Sequence, residues 1–191
     1  MNIKIVGIGD DGNKFVNRML EKDASRRADC IAIGQRFKFD PPRAAMQIEL
    51  YKGLLGLDGG TIERYENAAR EARDEIAAAF DDADVIIFVA DASEAIGAGT
   101  APIIAEYAHE LGISTIAVVT RPFTFEGKRR RLQFENALER LKMLVDRVVL
   151  FESDELLQTV DPKTPMNRVL DILNDVMSRR IEEVLESIEP Q

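Results

Sequence analysis

Residues 2–19 read NIKIVGIGDDGNKFVNRM, which is a strand, a glycine turn and the first turns of a helix. Ile3 to Ile8 is β-branched and apolar nearly throughout, the pattern of a strand buried on both faces. GDDG breaks that run, and Phe15, Val16, Met19 and Leu20 then recur at helical spacing. A strand buried on both faces needs helices on both sides, and parallel neighbours supply them through crossover connections.

The alternation continues along the chain. Cys30 to Ile33 is a second apolar run and ends at Gly34. Residues 35–60 are less regular, with a Pro41-Pro42 break, a short strand at Gln47 to Leu50, and glycines at 53, 56, 59 and 60. From Thr61 the residues Ile62, Tyr65, Ala68, Ala69, Ala72, Ile76, Ala79 and Phe80 share one helical face. DADVIIFVAD (82–91) is another buried strand, and after a glycine-rich turn Thr100 to Leu111 reads as a helix closed by Gly112. ISTIAVVTRPF (113–123) is a strand, Lys128 to Leu144 a helix with a basic head, DRVVLF (146–151) a strand, and Met166 to Ile188 a long final helix. The pattern predicts an α/β, Rossmann-like fold: one three-layer domain over residues 1–191, a parallel sheet with helices on both faces.

Composition narrows the function. The chain has 191 residues, 25 Lys+Arg against 34 Asp+Glu, and a formal net charge of −9. A single cysteine (Cys30) and a single histidine (His109) exclude a disulfide framework and a Cys/His zinc centre. They also exclude any His-based catalytic dyad that does not use His109. No apolar run approaches the ~18 residues of a membrane span, so a soluble, cytoplasmic protein with no membrane partner is expected. The acidic balance disfavours nucleic acid as a partner. Cys30 reads as a small buried hydrophobe, His109 as a surface residue at a helix end, and KRRR (128–131) as a solvated helix start.

Gly7 to Gly12 satisfies GxGxxG between a strand and a helix, where backbone N–H groups and the helix dipole can receive a phosphate. A tight strand-to-helix turn explains the same residues. A dinucleotide site also wants an acid about 20 residues on, at the end of the second strand. Gly34-Gln35-Arg36 stands there instead.

The stretch ADVIIFVADASEAIGAGTAPIIAEYAHELGISTIAVVTRPFTFEGKRR (83–130) resembles the middle of the bacterial tubulin homologue FtsZ, most specifically in VVTRPFTFEG. IVGIGDDGNKFVNRM (5–19), REARDEI (70–76) and SDELLQTVDPKTPM (153–166) extend the resemblance over nearly the whole chain. It implies the tubulin-type sheet order 3-2-1-4-5-6 and a site for GTP or GDP, with Mg²⁺ accompanying the phosphates.

Carried over residue by residue, the resemblance maps phosphate contacts to Gly9, Asp10, Asp11, Gly12, Asn13 and Lys14, and to Gly59-Gly60. The family's GGGTGTG loop corresponds to Ser93–Gly99, of which Gly97, Ala98 and Gly99 are retained as contacts. Glu126 and Arg130 match the family's sugar-contacting pair, and Ser153 and Asn174 the residues that meet the base. Asp10 and Asp11 replace small residues, Glu94 adds a charge, Ile96 adds bulk, and both threonines of the glycine loop are gone. Two carboxylates facing a phosphate repel it by about 1 to 4 kcal/mol at ~4 Å, unless both turn to solvent and cap the helix. Leu170 replaces a ring that commonly stacks on guanine.

The family's water-positioning motif NxDxxD occurs nowhere in these residues, and the final helix has one apolar stripe (Met166, Val169, Leu170, Leu173, Val176, Met177, Ile181, Val184, Leu185, Ile188). These features predict a stand-alone domain without the family's C-terminal activation domain, with no catalytic residue and no resident metal ligand of its own. Expected is weak or lost GTP/GDP binding and action through protein contacts in a filament or cell-division process. The partner would be a second copy or an FtsZ-like chain. The alternatives are a GTPase completed by another subunit, an NAD(P)-binding domain, and a ligand-free interaction module.

Overall fold

A computed structural model describes residues 1–21, 28–35, 42–50 and 60–188. Its strands are β1 (Ile3–Ile8), β2 (Asp29–Gly34), β3 (Met46–Glu49), β4 (Val85–Ala90), β5 (Ser114–Arg121) and β6 (Arg147–Glu152). Its helices are α1 (Gly9–Glu21), α2 (Ile62–Glu71), α3 (Arg73–Phe80), α4 (Ala95–Glu110), α5 (Lys128–Leu144), α6 (Ser153–Thr159) and α7 (Met166–Ile188). The strands form one parallel sheet in the order β3-β2-β1-β4-β5-β6, the order expected from the resemblance.

Strand alternation divides the core into two slabs. Val6, Ile8, Ile86, Phe88, Ala117 and Val119 point to one face, where they meet α2, α3, α4 and α5 through Tyr65, Phe80, Ile104 and Phe134. Ile3, Ile5, Ile87, Val89, Ile116 and Val118 point to the other, against Phe15, Val16 and Met19 of α1 and Val169, Met177 and Ile181 of α7. Phe80, Phe88 and Phe134 are among the largest fully buried side chains, each contributing about 1.5–3 kcal/mol by leaving water. At the other end of the sheet, Lys4 is buried to 8% exposure and bonds Asp29 (3.1 Å) and Asp82 (2.6 Å), so its charge is paired.

Three elements depart from expectation. The helix expected from Thr61 to Phe80 is stepped at Ala72, whose ψ of 10° separates α2 from α3. The step lets α2 lie along α4 while α3 touches both α4 and β3. Helix α4 begins at Ala95, not Thr100, because Gly97 has no side chain. A Cβ there would stand 2.0 Å from the carbonyl oxygen of Asp91, so only glycine lets the helix close onto the end of β4. A short helix, α6, follows β6 directly. The charged back of α7 is exposed at Arg168, Asp171, Arg179, Glu183 and Glu186. Ser178 is buried and donates to the Asn174 carbonyl at 2.8 Å.

Candidate functional site

Strand order reverses between β1 and β4, and open α/β sheets bind ligands outside such a point. β1 passes into α1 without an intervening loop, through Gly9 at φ 72°, a left-handed conformation that glycine adopts without strain. A Cβ on Gly9 would meet Ile96 Cγ2 at 2.8 Å. Ile96, 8% exposed, therefore lies directly over the turn. Bulk at this position occupies room that a phosphate-wrapping loop leaves to backbone.

The two aspartates of the turn part company. Both lie in the first turn of α1, where carboxylates complement the helix dipole. Asp10 is exposed, on the rim of a cavity of about 370 Å³. Asp11 turns inward, so that carboxylate oxygens of Asp11, Asp91 and Glu94 lie within 4.8 Å of one another. Lys14 Nζ donates to Asp11 at 2.9 Å. Arg130 donates to Glu94 at 3.2 Å and also to Glu126, tying the sugar-side pair to the glycine loop. Asp91 Oδ1 accepts from the Ser93 amide at 2.8 Å.

This concentration of charge is costly. Burial pushes the Asp91 carboxyl above its ordinary value, with the charge of Asp11 adding to the effect and Arg130 opposing it. Glu94 is pushed up in the same direction, by burial first and then by Asp91 and Asp11.

A second cavity of about 310 Å³ opens on the far side of Arg130, which lines both. Asp11, Lys14, Glu126, Arg130, Ser153 and Asn174 share its wall with Phe123, Phe125 and Leu170. The rings of Phe123 and Phe125 stack at 5.0 Å, and Phe125 is 61% exposed. Glu126 also accepts from the Phe123 amide at 2.9 Å, which fixes the short turn leading into α5. Arg121 closes the wall, held over the ring of Phe134 and paired with Glu135 and with Glu152.

The remaining expected residues are placed differently. Gly60 lines the first cavity, and Gly59 lies outside the described residues. Gly9, Gly12, Gly97, Ala98 and Gly99 are buried beneath the loops. Asn13 turns away, donating to the Ile33 carbonyl at 3.3 Å. The sequence reading missed Asp91, Gln133 and Arg129. Asp91 carried a signal, because it is the first charged residue after a fully apolar strand and stands at that strand's carboxyl end. Cys30 is buried, and burial pushes its thiol up to about 11, as fits a packing residue.

Comparison with known proteins places this architecture. The family model described as Tubulin/FtsZ family, GTPase domain, matches residues 28–161. The structure titled FtsZ dimer, empty, from M. jannaschii, is 31% identical, with a TM-score of 0.89 over 100% of this chain and 56% of that one. The GTPγS-bound protofilament of CetZ2 from Haloferax volcanii is 19% identical, with a TM-score of 0.81 over 97% of this chain and 58% of that one. The GDP-bound monomer of CetZ1 from Haloferax volcanii gives 19% and 0.83, over 100% of this chain and 62% of that one. The last two likenesses are of fold. The chain belongs to the tubulin/FtsZ family, as a short domain with the fold of its GTPases. It spans little more than half the length of these relatives.

Proposed function

We propose that this domain has kept the nucleoside half of the family's nucleotide site and lost most of its phosphate half, so that it binds GTP or GDP weakly and acts through protein contacts. The observation that carries this reading is the set of Asp11, Asp91 and Glu94 oxygens within 4.8 Å, placed at the junction of the two loops the resemblance assigns to phosphates. Repulsion of about 1–4 kcal/mol per close charge pair corresponds to roughly a 5- to 1,000-fold loss of affinity. Ile96 over Gly9 removes room as well as adding nothing to bind with. The cavity between Phe125, Ser153 and Asn174 keeps polar groups and an aromatic face suited to a base, and Glu126 and Arg130, which the resemblance assigns to the sugar, line it too.

Turnover is not part of this reading, because Ile96 and Ala98 offer no hydroxyl at the positions where the resemblance expects threonine. Self-association or pairing with an FtsZ-like chain is the mode of action proposed, supported by relatives solved as a dimer and as a protofilament. A role in filament regulation or cell division follows from that kinship. None of the described helices is long and apolar enough to cross a membrane, which accords with action on a soluble partner.

Calorimetric titration of the chain with GTP, GDP, ATP and NAD(P), each with Mg²⁺, tests the reading. Guanine nucleotides are expected to bind more weakly than about 100 μM and without turnover. Micromolar GTP affinity with steady phosphate release contradicts it, and selective binding of NAD(P) replaces it with a dinucleotide site.

A further inference from the structure

We propose that Phe125 is the platform on which a nucleobase stacks in this chain, and that the cavity it lines takes adenosine as readily as guanosine. This rests on the nucleoside reading above and names the class of base that half of the site accepts. Phe125, Met166 and Leu170 are three of the eight large apolar side chains exposed among the described residues, and all three line the 310 Å³ cavity. Exposed apolar surface gathered at a cavity marks a ligand face. Helix α7 contains no aromatic residue, so the ring that Leu170 replaces has no substitute on that helix. Phe125 is the aromatic member of the three and the most exposed, at 61%.

The ring is held ready for a flat partner. It sits in the short turn Thr124–Glu126. Phe123 stacks on it at 5.0 Å with the planes 11° apart, which backs one face and leaves the other open. The residues on either side are pinned. The Thr124 amide donates to Asp154 at 2.9 Å and its hydroxyl accepts from Arg131 at 2.7 Å, while Glu126 accepts from the Phe123 amide at 2.9 Å. A preformed face costs little ordering on binding. Stacking on it is tolerant of the base, because every base has a π-face.

Discrimination between purines has to come from the edge of the ring. Guanine is singled out when one carboxylate accepts from both of its adjacent donors, N1–H and N2–H. The three carboxylates of this wall are engaged elsewhere: Glu126 by Arg130 and the Phe123 amide, Asp91 by the Ser93 amide, and Asp11 by Lys14. Ser153 and Asn174, which the resemblance assigns to the base, each carry a group that both donates and accepts. Such groups pair with N1 and N6 of adenine as well as with O6 and N1 of guanine.

The test is a ligand-observed NMR titration of the whole chain with guanosine and with adenosine, which carry no phosphate, and with ribose as the ring-free control. The two nucleosides are expected to bind within about threefold of each other, and ribose not to saturate. Phe125→Leu should weaken both nucleosides at least about fivefold, the lower end of what loss of a base–aromatic stack costs. Phe125→Tyr, which keeps the ring, should bind them like the parent. The position is exposed, so Phe125→Leu should keep its fold, which melting checks, and the ratio of the two nucleosides needs no variant at all. Guanosine at least about tenfold tighter than adenosine, or unchanged affinity in Phe125→Leu, overturns the proposal and leaves the nucleoside reading standing. Absence of saturable binding by either nucleoside overturns both.

Discussion

At the residue scale, Glu94 shows how a single substitution changes the character of a loop. It stands where the resemblance has glycine, faces Asp11 and Asp91, and is relieved by Arg130. Its carboxyl, like that of Asp91, is held above its ordinary value by burial and by like charge. A carboxyl raised in this way contributes its full stability below the unfolded value and loses it as pH rises through the folded one. Glu94→Gln is therefore expected to raise the Tm near neutral pH. The gain should shrink as melting is repeated at falling pH, toward the range where an unfolded glutamate is protonated as well. Ile96 supplies a companion experiment. The triple change Asp11→Gly, Glu94→Gly, Ile96→Thr removes two charges and the bulk over Gly9. It is expected to tighten GTP binding at least about tenfold by calorimetry. An unchanged affinity would show that these residues are not what weakens the site.

At the scale of elements, the close approach of α4 to the end of β4 holds the glycine loop in place. Gly97→Ala would drive a methyl group to 2.0 Å from the Asp91 carbonyl. Backbone must then move, at about 1–3 kcal/mol or more, which lowers Tm by roughly 3–10 °C. The start of α4 also shows where periodicity misleads. SEAIGAG reads as a turn because glycines weaken helices. In the fold those glycines are helical because each faces backbone, Asp91 for Gly97 and Ile62 for Gly99, where a side chain would not fit. Propensity reports on an isolated segment, and close packing of a helix on its neighbours is invisible to it. The step at Ala72 has the same origin, since nothing local distinguishes Ala72 from the alanines around it.

At the scale of the molecule, the sheet was legible because each buried strand is a nearly unbroken apolar run. IKIVGI, VIIFVA and STIAVVTR set the layers and their sequence, and with kinship they gave the order of the strands. The site was legible only in part. Glu126, Arg130, Ser153 and Asn174, separated widely in sequence, line one cavity with Asp11 and Lys14. Asn13 did not follow, because its amide finds a carbonyl of β2 instead of open space. The acidic balance of the whole chain gave no address for its charge. Only folding brings Asp11 to Asp91 and Glu94 from opposite sides of the β1–β4 junction.

In the proposed reading, the phosphate end of this site repels what the nucleoside end accepts. A calorimetric ladder of guanosine, GMP, GDP and GTP, run in EDTA so that no cation masks the carboxylates, measures that claim directly. Affinity is expected to stay flat or fall with each added phosphate. A steep rise along the ladder, with GTP about 100-fold or more tighter than guanosine, would contradict it.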